Sequence, residues 1–213
     1  MHSVMEDPTA YFKTEMLVSD LEPTQHLILK DGETHATLYT ITSADQVPEG
    51  LAQYMTEEFN LEIESGTTYP HDEPMSVDSF RHYWFSQFAA ILLIGDSPSL
   101  DPNTNWAQSF LGTFYIKPNY PGRCSHVCNA GFLVNSAIRG KGIGKTMGQL
   151  YLQLAPKLGY TYSVFNLVFE TNLASLKIWD SLGFERIGRV KGAGKLRGHA
   201  NKVDAIIFGK DLI

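Results

Sequence analysis

The chain has 213 residues, 43% of them hydrophobic and 19% charged, which suits one well-packed globular domain. Its formal net charge of −6 speaks against a general nucleic-acid binder, whose footprint is basic. No run of about 18 apolar residues predicts a membrane span, and the opening MHSVMEDPTAYF resembles neither a secretory leader nor an Arg-rich presequence, so a cytoplasmic setting is expected, with mitochondrial residence left open.

Residues 1–45 hold two alternating segments, His26 to Lys30 and His35 to Ile41, read as edge strands of an extension packed on a domain spanning 46–213. Leu51 to Phe59 reads as a short helix and Ser79 to Ala89 as a second, with Tyr83, Trp84 and Phe88 at helical spacing. The turn-rich Gly66-Thr67-Thr68-Tyr69-Pro70 joins them. Ala90 to Ile94 is an apolar strand, Ser97 to Asn105 a loop, and Phe110 to Lys117 a further strand. Cys124 to Val134 reads as its antiparallel partner across a Pro-Gly connection. Gly142 to Leu154 is helical, because Ile143, Met147, Leu150 and Leu154 form one apolar stripe. A strand over Ser163 to Glu170, a helix over Leu173 to Leu182, and strands over Phe184 to Val190 and Val203 to Gly209 complete the chain. This alternation predicts a mixed α/β (α+β) sheet flanked by helices, with a parallel strand pair in the middle.

Charge is unevenly placed. Asp31 to Phe80 holds eleven acidic residues and no Lys or Arg, whereas Arg186 to Lys202 holds six basic residues and no acidic one. Two solvated surfaces of opposite sign account for this; an acidic wall for an amine and a basic hairpin beside a polyanion are the functional alternative. The two cysteines, Cys124 and Cys128, flank His126. On a strand the three would share a face, but a structural zinc site takes four ligands and no second pair exists, so reduced thiols and no metal are expected.

Arg139-Gly140-Lys141-Gly142-Ile143-Gly144 follows a strand and opens the amphipathic helix. Glycines there let main chain approach a ligand closely, and a helix start offers unpaired N–H groups and partial positive charge suited to a diphosphate. Lys141 and Lys145 add cations at the same end. The spacing is neither that of a Walker loop nor that of a dinucleotide-binding fingerprint.

Arg139-x-x-Gly142-x-Gly144 resembles the Q/R-x-x-G-x-G/A signature of GNAT N-acetyltransferases. Asn172-x-x-Ser175 and Trp179-x-x-Leu182-Gly183-Phe184 resemble that family's second motif. The resemblance implies a GNAT fold and acetyl-CoA as co-substrate. It implies that main chain near Val134 pairs with the pantetheine arm, that residues 139–145 hold the diphosphate, and that Asn172 and Ser175 lie near the thiol end. FNLEIESGTTYP, FLGTFYIKPNY, RCSHVCNAGFLVN and FNLVFETN resemble the fungal L-azetidine-2-carboxylate N-acetyltransferases. These act on small cyclic imino acids, and that likeness suggests a homodimer, detoxification of proline analogues, and an active site at Asn129, Asn166 and Asn172.

Acetyl transfer to an amine needs a neutral nitrogen, a polarised thioester carbonyl and a destination for the thiolate charge. Trp179 stands where the family places a tyrosine acid, and an indole cannot serve in the same way. Asn129 precedes Gly131, where the family places a β-bulge, and is expected to orient the acceptor; Asn172 is expected to donate to the thioester oxygen, with helix N-capping as its other use. Glu170, beside Asn166 by strand alternation, and Glu64 are candidate bases or acceptor contacts, with ordered water as the third choice. Tyr69, Trp84 and Phe132 either line a small apolar pocket or belong to the core. Polyamine or protein amino-group acetylation, and non-catalytic acetyl-CoA binding, are the rival activities.

Overall fold

A computed structural model describes residues 21–97 and 99–213. Its strands are β1 (Thr24–Ile28), β2 (His35–Ile41), β3 (Phe88–Ile94), β4 (Phe110–Pro118), β5 (Val127–Val134), β6 (Tyr162–Phe169), β7 (Glu185–Gly194) and β8 (Val203–Asp211). They form one sheet in the order β1-β2-β3-β4-β5-β6-β8-β7. Every neighbouring pair is antiparallel except β5–β6, the expected parallel pair. The helices are α1 (Glu49–Ser65), α2 (Val77–Trp84), the single turn α3 (Trp106–Ser109), α4 (Ile143–Lys157) and α5 (Leu173–Ser181).

Two cores lie on opposite faces of the sheet, and the period of two in β3 sorts residues between them. Phe88, Ala90 and Leu92 pack toward α4 and α5. Ala89, Ile91 and Leu93 pack toward α1 and α2. With both faces covered, FAAILLI is apolar throughout rather than alternating. The stripe Ile143, Met147, Leu150 and Leu154 is buried as its spacing predicts. Gly148 lets α4 meet α5 closely, since a Cβ there would stand 2.6 Å from Leu182.

Three expectations need correction. The helix expected over 79–89 ends at Trp84, with Phe85 as its cap. Phe88 belongs to β3 and pairs with Ile116 of β4, the pairing that draws it out of the helix its spacing suggests. The strand expected from Cys124 begins at Val127; Gly122 to Cys124 is a 3₁₀ turn. Cys124 is therefore exposed while Cys128 is buried, and the C-x-H-x-C spacing does not gather its side chains on one strand face. Finally, β4–β5 runs in unbroken register from Gly112↔Val134 to Pro118↔Cys128, so no bulge lies at Asn129 or Gly131. In addition, α1 runs on to Ser65, because it stops at Gly66 in a left-handed cap at φ 63° rather than at its first polar face. No helix among the described residues is long and apolar enough to cross a membrane.

Candidate active site

The parallel pair β5–β6 is joined only at Val127↔Tyr162 and Cys128↔Ser163. Beyond Cys128 the strands part, and a cleft of about 670 Å³ opens in the fork. Asn119 N–H donates to the Val127 carbonyl (2.8 Å) and Asn135 N–H to the Leu111 carbonyl (3.1 Å). These bonds set the phase of β5: odd-numbered residues pair with β4, so Ala130, Phe132 and Val134 turn N–H and C=O toward the gap. Tyr69 agrees, donating its hydroxyl to the Phe132 carbonyl at 2.9 Å. The strand edge left over is suited to an extended amide-bearing chain.

At one end of the cleft lies the glycine loop. Gly140 and Gly142 adopt φ of 83° and 87°, which disfavours side chains. Gly142 caps α4 without a side-chain bond, leaving the first-turn N–H groups unsatisfied by protein. A Cβ at Gly144 would sit 3.0 Å from Ile178. The loop and the 15-residue helix behind it fit a diphosphate. Arg139, Gly140, Gly142, Ile143, Gly144, Lys145 and Val134 line the cleft. Lys141 is exposed outside that lining.

The loop is held from beneath by α1. Glu58, buried, accepts from Ser136 N–H (2.7 Å) and its hydroxyl (3.2 Å). Glu62, one turn on and also buried, pairs with the Arg139 guanidinium and accepts from the Thr68 hydroxyl at 2.7 Å. Asn135 accepts from Ala137 N–H and donates to the Phe110 carbonyl. Neither Glu58 nor Glu62 stands out in the sequence as a candidate; the signal is their i, i+4 spacing among Met55, Phe59 and Ile63, which puts two carboxylates on a buried face.

The other end lies on the α1–α2 side and is aromatic. Tyr69, Tyr83 and Tyr115 line it beside Asn129 and Gly131. Tyr83 and Tyr115 share a hydroxyl contact of 3.2 Å. Burial, the leading cause for each, pushes all three phenols above their ordinary range, so they are neutral donors. The ring of Tyr115 lies over Gly131, where a Cβ would stand 2.5 Å from it. Lys117, register partner of Asn129, holds Nζ 4.5 Å from the Tyr115 centroid and 4.7 Å from that of Tyr83. Tyr83 and Tyr115 come from sequence-distant elements, so no local motif marked them.

Asn129, Asn166, Asn172, Phe132 and Ser175 all reach the cleft. Asn172 Oδ1 caps α5 by accepting from Ser175 N–H at 3.2 Å, leaving its NH₂ without a protein partner among the described residues. Asn166 is in a reciprocal amide pair with Asn119, donor to acceptor at 3.2 Å in one direction. Glu170 is elsewhere: a register shift between Phe165 and Val168 breaks the alternation that would set it beside Asn166, and it accepts from Arg189 at 2.9 Å. Glu64 is exposed outside the cleft lining. Trp84 is wholly buried and donates to Thr113. Trp179 packs among Phe132, Phe165 and Phe184 at 4.5–5.4 Å between centroids. None of residues 186–202 lines the cleft, and of the acidic residues in 31–80 only Glu62 does. Among the described residues there is no metal-binding cluster of His, Cys, Asp or Glu.

The model of the acetyltransferase (GNAT) family matches residues 54–184. N-acetyltransferase aca1 of Schizosaccharomyces pombe is 46% identical over 167 residues, 75% of this chain and 79% of that protein. The GCN5-related N-acetyltransferase from Kribbella flavida superposes with a TM-score of 0.67 at 26% identity, over 82% of this chain and 97% of that one. YncA of Salmonella typhimurium, solved with its cofactor acetyl-CoA, has the same fold at a TM-score of 0.66 and 16% identity, covering 84% and 94%. With the forked sheet and its glycine loop behind it, the chain belongs to the acetyltransferase (GNAT) family and is an acetyl-CoA-dependent N-acetyltransferase.

Proposed function

We propose that the enzyme acetylates the ring nitrogen of small cyclic imino acids of the L-azetidine-2-carboxylate and hydroxyproline type, a detoxifying role against proline analogues. The observation that carries this reading is the end of the cleft lined by three neutral tyrosines and the Asn129 and Asn166 amides, with Lys117 Nζ held over the rings of Tyr83 and Tyr115. A polyamine or a basic peptide would need carboxylates there. Among the described residues the one carboxylate lining the cleft, Glu62, is already engaged by Arg139 and Thr68.

Acetyl-CoA supplies an acetyl group activated as a thioester. In this reading the first-turn N–H groups of α4 bind its diphosphate, with the helix dipole adding to their pull. The gap-facing N–H of Phe132, whose carbonyl is held by Tyr69, and the main chain of Val134 take the pantetheine arm. The NH₂ of Asn172 donates to the thioester oxygen, and Asn129 orients the acceptor's nitrogen or carboxylate. Among the described residues no histidine lines the cleft, and in this reading water at its open mouth removes the ammonium proton. Trp179 lies in an aromatic cluster and brings no group of phenolic acidity. Residues 46–213 form the catalytic unit in this reading, with 1–45 as its extension, and the enzyme works as a homodimer.

A thiol-release assay with acetyl-CoA across azetidine-2-carboxylate, cis-4-hydroxyproline, spermidine and a lysine peptide tests the assignment. Turnover confined to the imino acids supports it; turnover of spermidine or the peptide alone overturns it.

A further inference from the structure

Glu62 joins two parts of the cleft that are far apart in sequence. One oxygen is paired with Arg139 in the diphosphate loop, and the other accepts from Thr68 at 2.7 Å in the α1–α2 connection. The next residue, Tyr69, lines the cleft, donates its hydroxyl to the Phe132 carbonyl and packs its ring against Phe59 at 4.7 Å between centroids. The side chain of Glu62 is about one-tenth exposed, whereas that of Arg139 is about half exposed. The guanidinium therefore reaches toward solvent from a carboxylate that is shielded from it. A shielded carboxylate satisfied from both sides is screened little by salt and holds both partners in place.

We infer that Glu62 is a positioning residue coupling the diphosphate loop to the acceptor wall, so that a ligand on the loop stiffens the segment carrying Thr68 and Tyr69. This rests on the acetyl-CoA seat proposed above. Fixing Arg139 against a diphosphate restricts Glu62, and through it Thr68. By linkage, an acceptor that orders Tyr69 strengthens coenzyme binding by the same factor. The acceptor pocket is then completed only on the loaded enzyme.

Hydrogen–deuterium exchange with coenzyme A as the probe tests the coupling without any acceptor. In the wild-type protein, peptides covering 136–146 and 61–75 should both exchange more slowly with coenzyme A present, the second by about fivefold, the low end of usual site-to-site coupling. Thr68→Val, which deletes the hydroxyl and keeps the shape, should retain the protection over 136–146 and lose it over 61–75. Glu62→Gln should lose it over 61–75 as well, and Thr68→Ser should restore it. Protection of 136–146 alone in the wild type, or equal protection of 61–75 in Thr68→Val, overturns the inference and leaves the coenzyme seat standing. Absence of protection in both segments overturns the seat and the coupling together.

Discussion

Gly131→Ala isolates the close approach on which the acceptor wall depends. The added methyl would lie 2.5 Å from Tyr115 Cε1, 2.8 Å from Cζ and 2.9 Å from the hydroxyl. Carbon atoms at rest sit at about 3.5–4.0 Å, so the ring must retreat by about 1 Å. It has little room, since Tyr115 is 6% exposed, edge-on to Trp84 at 4.9 Å and in contact with the Tyr83 hydroxyl. Overpacking of this kind costs about 1–3 kcal/mol. Replacing a strand glycine with alanine returns only about 0.5–1 kcal/mol of backbone entropy, so the clash wins. A net cost of about 0.5–2 kcal/mol remains; for a chain of this size each kcal/mol moves Tm by about 2–4 °C, so a fall of about 1–8 °C is expected in calorimetry, with a raised KM for the acceptor. In a Tyr115→Ala background the same substitution has nothing to strike and should be neutral or slightly stabilising, a coupling that a double-mutant cycle reads directly. An equal loss of stability in both backgrounds would refute the argument.

Asn172→Ser keeps a capping oxygen and removes the amide donor, so its melting temperature should stay near wild type while kcat falls about 10²–10³-fold; a fully active Asn172→Ser enzyme would rule out the donor role. Gly142→Ala forces a methyl group into φ 87°; a free loop that relaxes to relieve a strain of about 1–2 kcal/mol should bind coenzyme A about five- to thirtyfold more weakly, measured by calorimetry. Burial, then the charge of Lys117, lowers the pKa of His71 below its ordinary 6.5. The unfolded chain therefore binds the proton more readily, and stability should decline as pH falls below about 6.5 toward the folded value. His71→Gln should flatten that slope in urea unfolding followed from pH 7.5 to 5. Burial pushes the Cys128 thiol up to about 12, so a disulfide reagent should titrate one thiol, Cys124, in the native protein and two after unfolding.

The amphipathic stripe of α4 and the glycine loop ahead of it were legible because they are local: a 3.6-residue period and positions that disfavour a side chain are properties of neighbouring residues. The same holds for Asn172, whose place at a helix start follows from the residues around it. Phe88 was not legible. Its spacing from Tyr83 and Trp84 suits a helix, and only its pairing with Ile116 of β4, next to residues 89–94 that β2 and β4 flank, makes it a strand. Glu62 rather than Glu64 faces the cleft because α1 continues to Ser65, and the choice between carboxylates two apart depends on which side of that helix meets the sheet. Glu170 was displaced from Asn166 by a single register shift in β6.

The chain's own order of residues therefore determined the element types around the coenzyme loop and the family's two motifs, since those depend on torsion preferences and spacing within a dozen residues. Tyr69 was a pocket candidate in the sequence, but the grouping of tyrosines proposed as the acceptor wall was decided by tertiary structure. Tyr69, Tyr83 and Tyr115 come from a loop, a helix and a strand that share no periodicity, and they meet because α1 and α2 pack on that face of β4, beside the fork where β5 parts from β6. Where a fork opens depends on how two packed faces pull strands apart, a property of the assembled cores that no short stretch of residues encodes.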